Sequence, residues 1–153
     1  MPLHLRLFYS GLLIYAASFF LLATGSFPPG DGRMLGFLCA FYAFPLPIEL
    51  GTKALFHNVP MPIDPVAYLS LLIAGWINPV FVVTAFLSLT QTHQRLVAVL
   101  KAAVVLMILF TLLFFATFKM FYPREGYFAW LVGMLLALFS GRIADRKEAW
   151  SIN

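Results

Sequence analysis

Long apolar runs and short polar clusters alternate along the chain. Between Asp64 and Arg95 there is no Asp, Glu, Lys or Arg, and that gap holds Val66 to Thr90. Four more charge-free stretches follow the same plan: Leu7 to Gly25, Met34 to Ile48, Ala102 to Phe118 and Gly126 to Gly141. A hydrocarbon core about 30 Å thick is crossed by about 20 helical residues rising 1.5 Å each. The pattern therefore predicts an all-α fold, a polytopic transmembrane helical bundle with membrane segments at about 7–25, 34–56, 66–90, 94–118 and 126–141. Residues 1–141 form a single membrane domain in this reading, and 142–153 a short amphipathic cytoplasmic tail. The first run is longer than a signal-peptide core and is interrupted by Tyr9 and Tyr15, so it is expected to be a transmembrane helix.

Prolines subdivide the pattern. Phe27-Pro28-Pro29-Gly30-Asp31-Gly32-Arg33 reads as a hairpin link. Pro45-Leu46-Pro47 breaks or kinks the second segment near Phe44, with a new helix expected from Ile48 to His57 and Pro47 in its first turn. Two architectures follow. A kinked second segment that crosses gives five helices with termini on opposite sides, the arrangement favoured here because lipid-exposed broken backbone is costly. A re-entrant or interfacial second segment gives four crossings and termini on the same side. The third segment carries Gly75-Trp76-Ile77-Asn78-Pro79 at its centre, where Pro79 has no N–H for the Gly75 carbonyl, so a kink is expected.

The last segment has Ala129, Gly133, Ala137 and Gly141 at every fourth position, a smooth stripe suited to close helix packing, against another helix of this chain or against a partner. The aromatics Phe118, Tyr127, Phe128 and Trp130 flank the turn 119–125 and read as an interfacial belt.

Composition agrees with the runs and narrows the chemistry. Hydrophobic residues make up 62% of the 153 and charged residues 10%, against about 25% charged in an ordinary soluble domain. The net charge of +4 comes from bases scattered singly at segment ends, which excludes a nucleic-acid surface and points Arg95, Lys101, Arg142, Arg146 and Lys147 to the cytoplasm. Short loops suit a bacterial inner membrane. Cys39 is alone in an apolar run and reads as a buried structural thiol, while His4, His57 and His93 fall at segment ends. No haem, metal site or other cofactor is expected. No phosphate loop, HExxH or Gly-x-Ser-x-Gly motif occurs, so an enzyme is disfavoured.

Polar residues at membrane depth are the remaining candidates. Asn78, Glu49, Lys53 and Trp76 form the candidate polar site, with Glu49 and Lys53 spaced to pair on one helix face. Lys101 is expected to snorkel to the cytoplasmic surface. Two functions follow. The first is a non-catalytic accessory, assembly or immunity-type protein that docks its helices, through the stripe, onto a membrane partner or another copy of itself. The second is a small oligomeric channel or transporter with its site at the broken segments 2 and 3.

Overall fold

The first apolar run folds as helix α1, Leu3–Ser18, and ends earlier than its hydropathy suggests. Ser18 Oγ donates to the Tyr15 carbonyl at 2.6 Å, and the N–H groups of Phe19, Phe20 and Leu21 reach back three residues to Ala16, Ala17 and Ser18. Such tightened bonds satisfy the last carbonyls of a helix and stop it. The chain continues as strand β1, Leu22–Ser26, in a computed structural model that describes residues 1–26, 34–43, 45–56, 64–90, 94–117 and 121–151.

β1 is the middle strand of a small antiparallel sheet. Met34–Leu35 (β2) pairs on one side and Phe121–Pro123 (β3) on the other, with Thr24 opposite Pro123 and Ser26 opposite Phe121. The protein is mostly helical, as expected, with these short strands added, and the helix expected over 7–25 gives up its last turns to them. The predicted link at 27–33 lies outside the described residues.

The second segment is helical on both sides of Phe44, as α2, Gly36–Ala43, and α3, Pro45–Phe56, and the break expected near Phe44 lies outside the described residues. The third divides into α4, Pro65–Gly75, and α5, Ile77–Thr90, with Trp76 between them. Asp64 caps α4 by accepting from the Val66 N–H at 2.8 Å, with Pro65 in the first turn, where a missing donor costs nothing. Helix α6 runs over Gln94–Thr117, and α7 runs unbroken over Glu125–Ser151, taking in the described part of the expected tail.

The direction of each helix follows from its neighbours. Three residues join α5 to α6, and both α4 and α5 pack along α6, so the α4–α5 pair and α6 are antiparallel. α1 and α7 are antiparallel too: Gly11 lies against Gly133 and Ala137, and Gly126 against Leu21 and Leu22. The sheet therefore caps the end where α1 and α6 finish and where α2, α4 and α7 begin. The stretch between β2 and α4 starts and finishes at that same end. Four helical passes run between the two ends, and the N-terminus and the far part of α7 share the end opposite the sheet.

Two of the helical stretches, Pro65–Thr90 with 26 residues and Gln94–Thr117 with 24, are long and apolar enough to cross a membrane, and Glu125–Ser140 is apolar but shorter. Phe8, Ile77, Phe81, Val104, Ile108, Met134 and Leu138 form the core. Phe41, Phe86 and Val99 are 65–69% exposed, so the helices turn large apolar side chains outward as well as inward.

The tightest packing joins the first and last helices. A Cβ added to Gly133 would lie 2.5 Å from the Tyr15 backbone nitrogen, and one added to Gly11 would lie 2.6 Å from that of Ala137. Two backbones meet there, which only glycine permits. Gly133 and Ala137, the central half of the small-residue stripe, are buried against α1.

Candidate functional site

The second and third segments meet around one cavity of about 490 Å³. α2 contributes Cys39 and Ala40, α3 Leu46 and Leu50, α4 Leu71 and Ala74, and α5 Ile77 and Asn78. α6 and α7 close it with Phe115 and Trp130 among others, and Thr24 of β1 lies at the sheet end. Breaking a helix at Trp76 and Pro79 turns its axis, which opens space that straight helices would fill. Among the described residues, no Asp, Glu, Lys, Arg or His lines this cavity. Its size lies within the range of about 300–1,000 Å³ common for small-molecule sites.

Asn78 organises one wall. Its Oδ1 accepts from the Tyr15 hydroxyl and from Trp130 Nε1, both at 3.0 Å, so one carbonyl oxygen satisfies donors from α1 and α7. Tyr15 stacks at 4.6 Å on Phe81, and Trp130 lies 5.5 Å from Tyr127, which meets Phe115 edge-on at 4.9 Å. The amide thereby joins two aromatic clusters. Its two donors also fix its orientation, since the NH2 side of the amide has nothing to accept with.

The cavity's other polar groups are few, and most are engaged. The Ser18 and Thr111 hydroxyls donate to backbone carbonyls of their own helix, and Thr24 Oγ1 lies 3.8 Å from Cys39 Sγ. Cys39 is partly rather than fully buried and joins α2 to β1. Tyr127 is 6% exposed, and its hydroxyl has no hydrogen-bond partner among the described residues. An unpaired buried hydroxyl is costly, commonly by about 1–3 kcal/mol.

Of the four residues of the candidate polar site, only Asn78 lines the cavity. Lys53 Nζ bonds Glu49 Oε1 at 2.6 Å on the exposed face of α3, so that pair is made as expected but serves the surface. Trp76 sits half exposed at the helix break and does not line the cavity. α3 is docked instead by Tyr68, whose hydroxyl donates to the Pro47 carbonyl at 3.0 Å, with Gly51 one turn on leaving it room.

Tyr15, Trp130 and Tyr127 are the site residues that sequence reasoning missed. The belt expectation is corrected for the last two: they turn into the protein, one to reach Asn78 and the other to be buried. Their signal was faint, because a polar-tipped aromatic serves an interface and an interior donor equally well. Among the described residues no group of three His, Cys, Asp or Glu is placed to hold a metal ion. The lining offers an amide, hydroxyls and a thiol, which suit binding an uncharged apolar molecule rather than moving protons. No family model, curated protein or solved structure matches the chain.

Proposed function

We propose that this is a four-pass membrane protein whose cavity holds an uncharged, lipid-like molecule drawn from the bilayer. The membrane part rests on the two long apolar helices and on the outward-facing large apolar side chains. α1, the α4–α5 pair, α6 and α7 make the crossings, and α2–α3 dips in and returns at the sheet end. This is the re-entrant alternative, and the shared direction of the stretch between β2 and α4 supports it over five crossings.

Charge supports the orientation. Arg6, Arg95, Lys101, Arg142, Arg146 and Lys147 belong to the end that carries both termini, with only Asp145 and Glu148 opposing them, so the whole net charge of +4 resides there. By the positive-inside rule that end, with the C-terminal tail, is cytoplasmic. A bacterial inner membrane fits the short loops.

The observation that carries the binding reading is the cavity among α2, α3, α4 and α5, walled without a charge among the described residues. Ions and charged solutes would lose hydration there without compensation. An apolar molecule loses nothing, and the few polar groups orient it. Channel-like flux of ions is therefore not supported, while the site's position at segments 2 and 3 is. Docking a membrane partner or a second copy through the stripe has weaker support, because α1 already occupies Gly133 and Ala137.

The test is native mass spectrometry of the detergent-purified chain. Wild type should carry a neutral lipid adduct, and Ala40→Phe and Ala74→Phe, which fill the cavity, should lose it while keeping helical circular dichroism. An equal adduct in both filled variants would overturn the reading.

A further inference from the structure

Asn78 has a second edge that its bonds to α1 and α7 leave unused. Trp130 Nε1 can only donate, so the amide atom it meets is the oxygen, and the NH2 takes the other edge. Among the described residues neither N–H of that edge has an acceptor. Asn78 lines the cavity, and its amide nitrogen keeps open surface. Two donors thus stand unmet at a mostly apolar wall. Tyr127, whose ring lies 5.5 Å from that of Trp130 in the same wall, holds a further unmet hydroxyl, although that one is sealed.

Donors in an apolar setting call for an acceptor, since leaving them bare forfeits the hydration of the amide. The occupant can bring one. A hydroxyl of its own would be poorly served: Asn78 Oδ1 is the one side-chain carbonyl among the described lining residues, and Tyr15 and Trp130 already fill it. We infer that the neutral lipid of this cavity bears a carbonyl oxygen, of an acyl ester or of a quinone ring, and that the Asn78 NH2 donates to it. The inference rests on the binding reading proposed above and names the chemical class of its ligand. Asn78 then has two roles. Its oxygen ties three helices together, and its nitrogen selects the ligand.

Methyl oleate and methyl oleyl ether share a chain and differ in the carbonyl. The detergent-purified full chain is titrated with each, and bound lipid is read by native mass spectrometry. Wild type should hold the ester about fivefold more tightly than the ether, the worth of one hydrogen bond. The carbonyl stretch of isotopically labelled methyl oleate should also fall in frequency on binding. Removing Asn78 alone frees Tyr15 and Trp130 to donate in its place, so the decisive variant combines Tyr15→Phe, Trp130→Phe and Asn78→Leu. It should bind ester and ether alike, while Tyr15→Phe with Trp130→Phe keeps the amide and the preference. Equal binding of ester and ether by wild type, an unshifted carbonyl stretch, or a preference that survives in the triple variant would each overturn the inference. The first two need no variant, so they decide the matter where the triple variant fails to fold. Ala74→Phe separates this inference from the cavity reading: equal wild-type binding that Ala74→Phe abolishes removes the carbonyl and keeps the cavity, whereas binding that Ala74→Phe leaves intact removes both. A benzoquinone with a decyl tail, titrated alongside, distinguishes the two sources. Tighter binding than methyl oleate assigns the oxygen to a quinone ring, and weaker binding to an acyl ester.

Discussion

Trp130 and Asn78, 52 positions apart in the chain, are joined by a 3.0 Å hydrogen bond from the indole Nε1 to the amide Oδ1, and Tyr15 shares that oxygen. Three helices, α1, α5 and α7, thus meet at one atom. Asn78→Leu conserves size but orphans both donors, and should destabilise the protein by about 1–3 kcal/mol. Denaturation followed by Trp fluorescence measures it. Adding Trp130→Phe to Asn78→Leu should cost less than Trp130→Phe costs in wild type, because the bond is already gone; additive losses would show that the two residues are not coupled.

Gly133 and Gly11 hold α1 and α7 at backbone contact. Gly133→Ala should cost about 1–3 kcal/mol by forcing that contact apart, and Gly133→Leu should prevent the pair from closing. Val132, next along the helix and half exposed, tolerates Leu if the effect belongs to the α1 contact and not to α7 as a whole. Melting temperatures of the three variants in one detergent make the comparison.

Topology is open to a direct reading. Reporter fusions at Met1 and at Asn153 should both report the cytoplasm, and one inserted at Tyr122 the opposite side. Opposite readings from the two termini would restore five crossings.

At the sheet end Arg124 Nε bonds Glu125 Oε2 at 2.9 Å. Arg124's hydrogen bond, together with Glu125's own backbone bond, holds the Glu125 carboxyl below its ordinary 4.5. A carboxyl lowered in the folded state stabilises it above the unfolded value, and that contribution is lost as pH falls through the folded one. Stability should therefore decline as the medium is acidified below about pH 4.5, and Glu125→Gln should decline less over the same range. Both groups are solvent-exposed, so the difference is small and vanishes in high salt.

The parts of this fold that sequence made legible are those governed by local chemistry. Pro79 and Gly75 announced the break at Trp76, and the i,i+4 stripe announced a close helix contact. Gly11, the stripe's counterpart on α1, stands alone in its run and carried no such signal. The strands were not legible because each is only two to five residues long and β1 pairs with β3 across almost a hundred residues. The return of the second segment was left open because its 23 residues suit one crossing as well as a hairpin. At the site, Asn78 stood out as a strong polar group within an apolar run, whereas Tyr15 and Trp130 looked like ordinary interfacial aromatics.

The three-stranded cap sets an order on assembly. α1 and β1 leave the ribosome before β3 and α7, yet one strand edge and one helix face of theirs are completed only by those later elements. Until residue 121 and beyond have been made, Gly11 and Tyr15 lack the helix that Gly133 brings against them. α1 is made long before α7 but is packed only when α7 arrives, so a chain interrupted before β3 keeps one strand edge and one helix face open.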